Sequence, residues 1–204
     1  MKEWELTIGA DWAGAKAETV LRRAAGMAPS YISALKFRPG GITCNGEPAA
    51  STQRLRPGDV LRARIDDAGG GNAAEPMAVP LSFVYEDEYL AVLNKRAPMA
   101  VHGSLSGGEC TVANALAALW GPEQAFHPVN RLDRGTSGLM VLARSGYIHD
   151  RLRRQLHSED FCRVYLGIVL GRPPEPRGSV TLPLGPREGD GRRGISPDGG
   201  QEAR

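Results

Sequence analysis

The sequence predicts an α+β protein built in two parts, with a small unit over residues 1–66, a linker over 67–80 and a larger unit over 81–204. Three observations point there. Two short amphipathic helical stretches precede turn-bounded strands in the first part. A glycine run followed by two prolines, from Ala68 to Pro80, interrupts the chain with residues that have little to bury and reads as a flexible linker. Beyond it, strand-like runs alternate with capped helical segments.

In the first part, residues 16–25 suit a short helix with Val20 and Leu21 facing inward and Arg22 and Arg23 outward. Ser30 is the expected N-cap of a second helix through Leu35, with Tyr31, Ile32 and Leu35 at helical spacing. Ile42, Thr43 and Cys44 form a short strand, and Asn45-Gly46 is a hairpin turn signal. Arg56-Pro57-Gly58-Asp59 marks another turn before the alternating run 60–65.

In the second part, residues 81–85 and 89–94 read as two strands. Thr111 caps an Ala-rich helix to Trp120, with Val112, Leu116 and Leu119 on one face. Residues 139–143 form an apolar strand. Ser145 caps a helix over 147–157, with Ile148, Leu152 and Leu156 recurring every four residues. Residues 163–170 alternate like a strand, with Val164, Leu166, Ile168 and Leu170 on one face and Tyr165 on the other. From Arg172 onward proline and glycine crowd the chain, which reads as an irregular tail.

Bulk composition excludes several classes. Hydrophobic residues make up 41% of the 204 residues, enough for packed cores. Lys and Arg number 25 against 23 Asp and Glu, so whole-chain charge does not by itself point to nucleic acid. The cations are mostly Arg, which suits forked phosphate contacts but also follows from genome composition. Cys44, Cys110 and Cys162 are far apart, without a CxxC pair, which argues against a disulfide framework or a zinc ribbon. His102, His127, His149 and His157 lack metal-ligand spacing, so no metal or cofactor is expected. No run approaches the roughly 20 apolar residues of a membrane span, and the N-terminus has no apolar signal region. A cytoplasmic monomer is the expectation.

The run richest in chemistry is His127-Pro128-Val129-Asn130-Arg131-Leu132-Asp133-Arg134-Gly135-Thr136-Ser137-Gly138. One carboxylate sits between two arginines in a polar turn just before an apolar strand. Flanking cations favour the ionised carboxylate that a nucleophile needs, and the small residues leave room for a substrate. A salt-bridged turn without catalysis would carry the same residues. A nucleophile elbow is excluded because Leu139 stands where glycine is required, and there is no P-loop.

Arg131-Leu132-Asp133-x-x-Thr136-Ser137-Gly138 resembles the signature of RluA-type RNA pseudouridine synthases. Residues 84–95, Val-Tyr-Glu-Asp-Glu-Tyr-Leu-Ala-Val-Leu-Asn-Lys, and Met99-Ala100-Val101-His102 are similar to the strand pair that opens that catalytic domain. Arg163-Val164-Tyr165-Leu166-Gly167-Ile168-Val169 is similar to the strand bearing the family's active-site tyrosine. In the first part, the two helices followed by Ile42-Thr43-Cys44-Asn45-Gly46 and Pro57-Gly58-Asp59-Val60 resemble the S4 RNA-binding domain.

The resemblance implies a mixed, mainly antiparallel catalytic sheet behind an S4-like domain. It implies isomerisation of uridine to pseudouridine in structured RNA, ribosomal or transfer, without cofactor, metal or membrane. Asp133 would be the nucleophile at the sugar C1′ or the base C6. Tyr165 would stack on the uracil and is a candidate for proton abstraction from C5, and Arg131 would fill the space of the extruded nucleotide. Arg22, Arg23, Lys36, Arg38, Arg54 and Arg134 would face RNA. Residues 1–66 hold ten Lys and Arg against seven Asp and Glu, and solvated helix faces would look the same. Asn130 replaces the histidine that many members carry before Arg-Leu-Asp and marks a subfamily. Since the family's domain continues beyond a segment similar to residues 172–204, the catalytic part is expected to be C-terminally incomplete and the chain inactive or nearly so. An RNA-binding remnant without catalysis is the alternative function.

Overall fold

The computed structural model describes residues 2–67, 71–103, 109–156, 158, 161–179, 181–186 and 193–196. It divides into two compact units, 1–162 and 163–204. The first unit holds two four-stranded sheets, each with its own apolar core. An α+β class is what the elements give, but every described strand pairing is antiparallel, so no mixed sheet is seen among the described residues.

The first sheet is ordered β1-β4-β2-β3, from β1 (Glu3–Thr7), β2 (Ile42–Cys44), β3 (Glu47–Pro48) and β4 (Val60–Arg64). The strand β1 went unforeseen because its alternation of Glu3, Trp4, Glu5 and Leu6 spans only five residues at the chain's start. It pairs along β4, where Glu5 faces Arg62 and the two form an ion pair at 2.6 Å. Leu61, Ala63, Ile42 and Cys44 point inward, since side chains alternate across a strand.

Helices α1 (Ala17–Arg23) and α2 (Pro29–Lys36) cover that face with Val20, Leu21, Ile32 and Leu35. The α2 start differs from expectation. Ala28 is the N-cap and Pro29 the first helical residue, where its missing N–H costs nothing, so Ser30 lies inside the helix and caps nothing. The Asn45-Gly46 turn is present, with Asn45 at φ 54°. The Asn45 side chain also donates to Asp59 at 2.9 Å and accepts from the Val60 N–H, tying this hairpin to the next turn.

Of the linker, residues 67 and 71–80 are described, and the second stretch is tied down by hydrogen bonds. Asn72 N–H donates to the Pro122 carbonyl at 2.7 Å, its side chain donates to Ala113, and Met77 N–H reaches Asn114. The glycines at 69 and 70 lie outside the described residues.

The second sheet is ordered β5-β6-β8-β7, from β5 (Phe83–Glu86), β6 (Leu90–Lys95), β7 (His127–Pro128) and β8 (Gly138–Ala143). Ala91, Leu93, Met140 and Leu142 turn to one side and pack with Val112, Ala115 and Leu116 of α3 (Val112–Trp120). Leu119, expected on that apolar face, is exposed. Thr111 caps α3 in a reciprocal capping box with Asn114.

Ser145 caps α4 (Gly146–Gln155), accepting from the Ile148 N–H. The buried residue of α4 is Tyr147 rather than the Leu152 stripe, and it joins the core of the first sheet. His157, expected at the end of this helix, lies outside the described residues.

In the second unit, residues 163–170 carry no ladder, and Val164, Leu166, Ile168 and Leu170 are exposed. Alternation signals a strand only where a neighbour supplies hydrogen bonds, and none does so among the described residues of this unit. The expected tail is in part regular, because β9 (Leu184–Pro186) pairs with β10 (Arg193–Ile195).

Candidate active site

Asp133 sits in the loop that joins β7 to β8. Leu132 is buried in the core of the second sheet, while Arg131 and Asp133 on either side of it are exposed. Thr136 N–H closes the turn on the Asp133 carbonyl at 3.0 Å. Asn130 anchors the run from the other side, accepting from the Val141 N–H at 2.8 Å and donating to the Leu139 carbonyl at 3.3 Å. An amide side chain provides both a donor and an acceptor for one strand edge, so Asn130 fixes where the Arg-Leu-Asp segment leaves the sheet.

Below the turn lies Lys95, only 1% exposed. Its register on β6 explains this, since Ala91, Leu93 and Lys95 share the inward face. The ammonium donates to the carbonyls of Met99 at 2.7 Å and Arg96 at 3.2 Å, with Arg134 at 3.5 Å. Met99 N–H also reaches the Arg134 carbonyl at 3.0 Å, so the loop after β6 and the Asp133 turn are laced together. Burial lowers the Lys95 pKa, while the negative charge of Asp133 pushes it back up. Lys95 escaped the sequence reading as a site residue. The signal was its place in an alternating strand, where a lysine on the apolar face needs polar partners.

The two arginines beside Asp133 do not act alike. Arg134 holds Glu109 with two contacts, Nε at 3.0 Å and Nη2 at 2.5 Å, and both side chains remain exposed. Arg131 is exposed beside Asp133. Tyr165 belongs to the second unit, where its side chain is 60% exposed. Asp133, Arg131 and Arg134 thus share one turn of the first unit.

Of the cations expected to face RNA, Arg22, Arg23 and Lys36 are exposed at the ends of α1 and α2. Arg54 is exposed and donates to the Gly14 carbonyl at 2.8 Å. Arg38 departs from expectation. Its side chain is 10% exposed and pairs with Asp66 at 2.9 Å and with the Asp67 carbonyl at 3.1 Å. Two carboxylates and their carbonyls at the end of β4 need a cation there, so Arg38 serves the fold.

A second polar cluster joins the two sheets. Asp67 accepts from His127 Nε2 at 2.6 Å and from the Gly146 N–H at 2.8 Å. Burial raises the Asp67 pKa, but these hydrogen bonds and the charges of His127 and Arg38 bring it below the ordinary value. His149 stacks on His127 with centroids 5.7 Å apart, and burial followed by the His127 charge pushes its pKa down. Among the described residues no group of His, Cys, Asp and Glu could hold a metal ion, and no helix is long and apolar enough to cross a membrane.

Known proteins resemble this chain in sequence. The model of the RNA pseudouridylate synthase family matches residues 89–202, a span that contains Asp133, Lys95 and Tyr165. An uncharacterized RNA pseudouridine synthase of Synechocystis is 41% identical over 134 residues, covering 61% of this chain and 41% of the relative. One of Bacillus subtilis, YjbO, is 30% identical over 179 residues, covering 85% and 63%. Ribosomal large subunit pseudouridine synthase D of Xanthomonas campestris is 34% identical over 139 residues, covering 66% and 41%. The chain spans less than two thirds of the length of each of these relatives. With more than half its residues inside the family match, this chain belongs to the RNA pseudouridylate synthase family.

Proposed function

We propose that the protein isomerises uridine to pseudouridine in structured RNA, with ribosomal RNA as the substrate class and Asp133 as the nucleophile. The observation that carries this is the family match across a turn in which Asp133 is exposed, while the Arg134 carbonyl of the turn faces the Lys95 ammonium and accepts from the Met99 N–H. The carboxylate attacks the sugar C1′, releasing uracil through N1, or adds to the base at C6. In either course the N1–C1′ bond breaks, the base turns and C5 bonds to C1′. The bond to Asp133 breaks and frees the carboxylate, N1 takes up a proton, and the C5 proton passes to a base, for which Tyr165 is the candidate. The uridine must first leave its stack, at a cost of a few kcal/mol that contacts to the RNA backbone offset. Arg131, exposed two residues before Asp133, is the candidate to fill the vacated space.

The first sheet with α1 and α2 acts as an S4-like RNA-binding part, with Arg22, Arg23, Lys36 and Arg54 as its exposed cations. The free cysteines Cys44, Cys110 and Cys162 fit a reducing cytoplasm. The name of the Xanthomonas relative supports a ribosomal substrate.

The test is uridine conversion in ribosomal RNA, read as carbodiimide-reactive product. The parent should convert, and Asp133→Asn should not, while keeping its RNA affinity and melting temperature. Turnover by Asp133→Asn within tenfold of the parent overturns the assignment. RNA binding by the parent without conversion favours a binding role instead.

A further inference from the structure

Helix α4, which follows the second sheet, reaches back to the end of α1. Tyr147 is 5% exposed within the core of the first sheet, and its hydroxyl donates to the Ala25 carbonyl at 2.7 Å. Arg151 Nη1 donates to the same carbonyl at 3.1 Å, from 126 residues further along the chain. This carbonyl stands just past the last turn of α1, where unpaired backbone oxygens and the helix dipole favour a cation. The next residue, Gly26, has φ +66°, and a Cβ built there would stand 3.7 Å from Arg151 Nη1 and 3.9 Å from Arg154 Nη1. Two guanidinium groups of α4 therefore lie on one turn of the first part.

That turn already carries Arg22 and Arg23, both exposed in the last turn of α1 and two to four residues before Ala25 and Gly26. At most four residues of chain separate them from Gly26, a span of no more than about 14 Å. The carboxylates nearby do not balance the four arginines. Asp150 pairs with Arg154 at 2.5 Å, and Glu18, at the other end of α1, faces Lys16 at 3.9 Å. Tyr147 and Arg151 suffice to satisfy the Ala25 carbonyl. Arg22 and Arg23 make no side-chain hydrogen bond among the described residues. Gathering these charges costs self-repulsion, which a polyanion relieves, and guanidinium forks match phosphate oxygens.

We propose that the turn where α1 meets α4 is a binding site for the RNA phosphodiester backbone, formed by Arg22 and Arg23 from one part and Arg151 and Arg154 from the other. The proposal rests on the RNA-directed function above and adds Arg151 and Arg154 to it. One RNA strand engages both parts at once, so binding also holds α4 against α1. The contacts are to phosphates and position the RNA without reading its bases.

The experiment is fluorescence anisotropy of a ribosomal RNA hairpin with the whole chain across 50–200 mM salt. The parent is compared with Arg22→Gln/Arg23→Gln, with Arg154→Gln, and with the triple variant. Each neutralised arginine should flatten the slope of log affinity against log salt by about 0.7–0.9. Over this range the parent then loses roughly twenty- to forty-fold more affinity than the triple variant. Arg154→Lys should keep the parent's slope, as should Arg56→Gln on a distant turn. Arg22 and Arg23 lack fold contacts, so their double variant should melt with the parent. A parent slope retained by both the double and the triple variant overturns the proposal. So does failure of the parent to bind the hairpin. Uridine conversion by the parent is scored separately, so a parent that converts while the variants keep its slope removes the phosphate site and leaves the proposed function standing. A parent that binds with the expected slope changes but converts nothing does the reverse.

Discussion

Lys95 donates its buried ammonium to the Met99 carbonyl at 2.7 Å and thereby fastens the loop after β6 beneath the turn that bears Asp133. The same nitrogen faces the Arg134 carbonyl at 3.5 Å, one residue past the proposed nucleophile. A lysine at this depth is tolerated only because backbone oxygens surround it.

Replacing Lys95 with Met keeps the length and removes the donor. The carbonyls of Met99 and Arg134 lose a buried partner, at about 1–3 kcal/mol. Chemical denaturation should show that loss, and uridine conversion should fall by about tenfold or more as the Asp133 turn loosens. RNA affinity should stay within twofold, because Lys95 does not reach the surface. A variant with parental conversion would show that the turn holds its place without this amine.

Arg38 and Arg22 make a second contrast. Arg38→Gln strips Asp66 of one of its two arginine partners and leaves the Asp67 carbonyl bare, so unfolding should become about 1–3 kcal/mol easier. Arg22→Gln should leave stability within about 0.5 kcal/mol and weaken RNA binding instead. If Arg38→Gln weakens RNA binding while the melting temperature stays put, Arg38 faces RNA after all.

The outline of these parts was legible in the sequence because local rules decide it. Thr111 and Ser145 were readable as caps, and Asn45-Gly46 as a turn, since each acts on residues within four positions. Asp133 could be singled out by its motif, but its surroundings could not. The partners of Arg134 and Arg38, Glu109 and Asp66, lie 25 and 28 residues away, and no spacing rule links them. The same applies to Tyr147, whose hydroxyl reaches the Ala25 carbonyl and which joins a core whose other buried members all lie more than 80 residues earlier. For residues 163–170 the pattern was clear and the pairing was not, because alternation names a face without naming a neighbour.

Acid should loosen the junction between the two sheets in two stages. His149 has a pKa depressed from its ordinary 6.5, by burial first and by the His127 charge second. The unfolded chain therefore takes up a proton that the folded one resists, and stability falls as pH drops below about 6.5 toward the depressed value. Asp67 has a folded pKa below its ordinary 3.8, so its contribution is intact above that value and fades as pH falls through the folded pKa. Urea midpoints between pH 8 and 3 should decline in the first window and again in the second. His149→Gln should remove the first decline alone. An unchanged profile in that variant would place the sensitive group elsewhere.

Asn114 performs two tasks that substitution can separate. Its Oδ1 accepts from the Thr111 N–H at 3.0 Å and from the Thr111 hydroxyl at 2.6 Å, while its Nδ2 donates to the Glu75 carbonyl at 2.8 Å. The first task caps α3, and the second clamps residues 71–80 to that helix. Thr111→Ala removes the cap that reaches the Asn114 N–H, costing about 0.5–2 kcal/mol, and leaves the Glu75 contact in place. Asn114→Ala keeps that cap on its backbone N–H but removes the acceptor for Thr111 and the donor to Glu75. Global stability should fall in each variant, but amide exchange over residues 72–77 should quicken only in Asn114→Ala, because only there is the clamp gone. Equal exchange in the two variants would mean that the remaining bonds, Asn72 to Pro122 and Met77 to the Asn114 carbonyl, hold this segment by themselves.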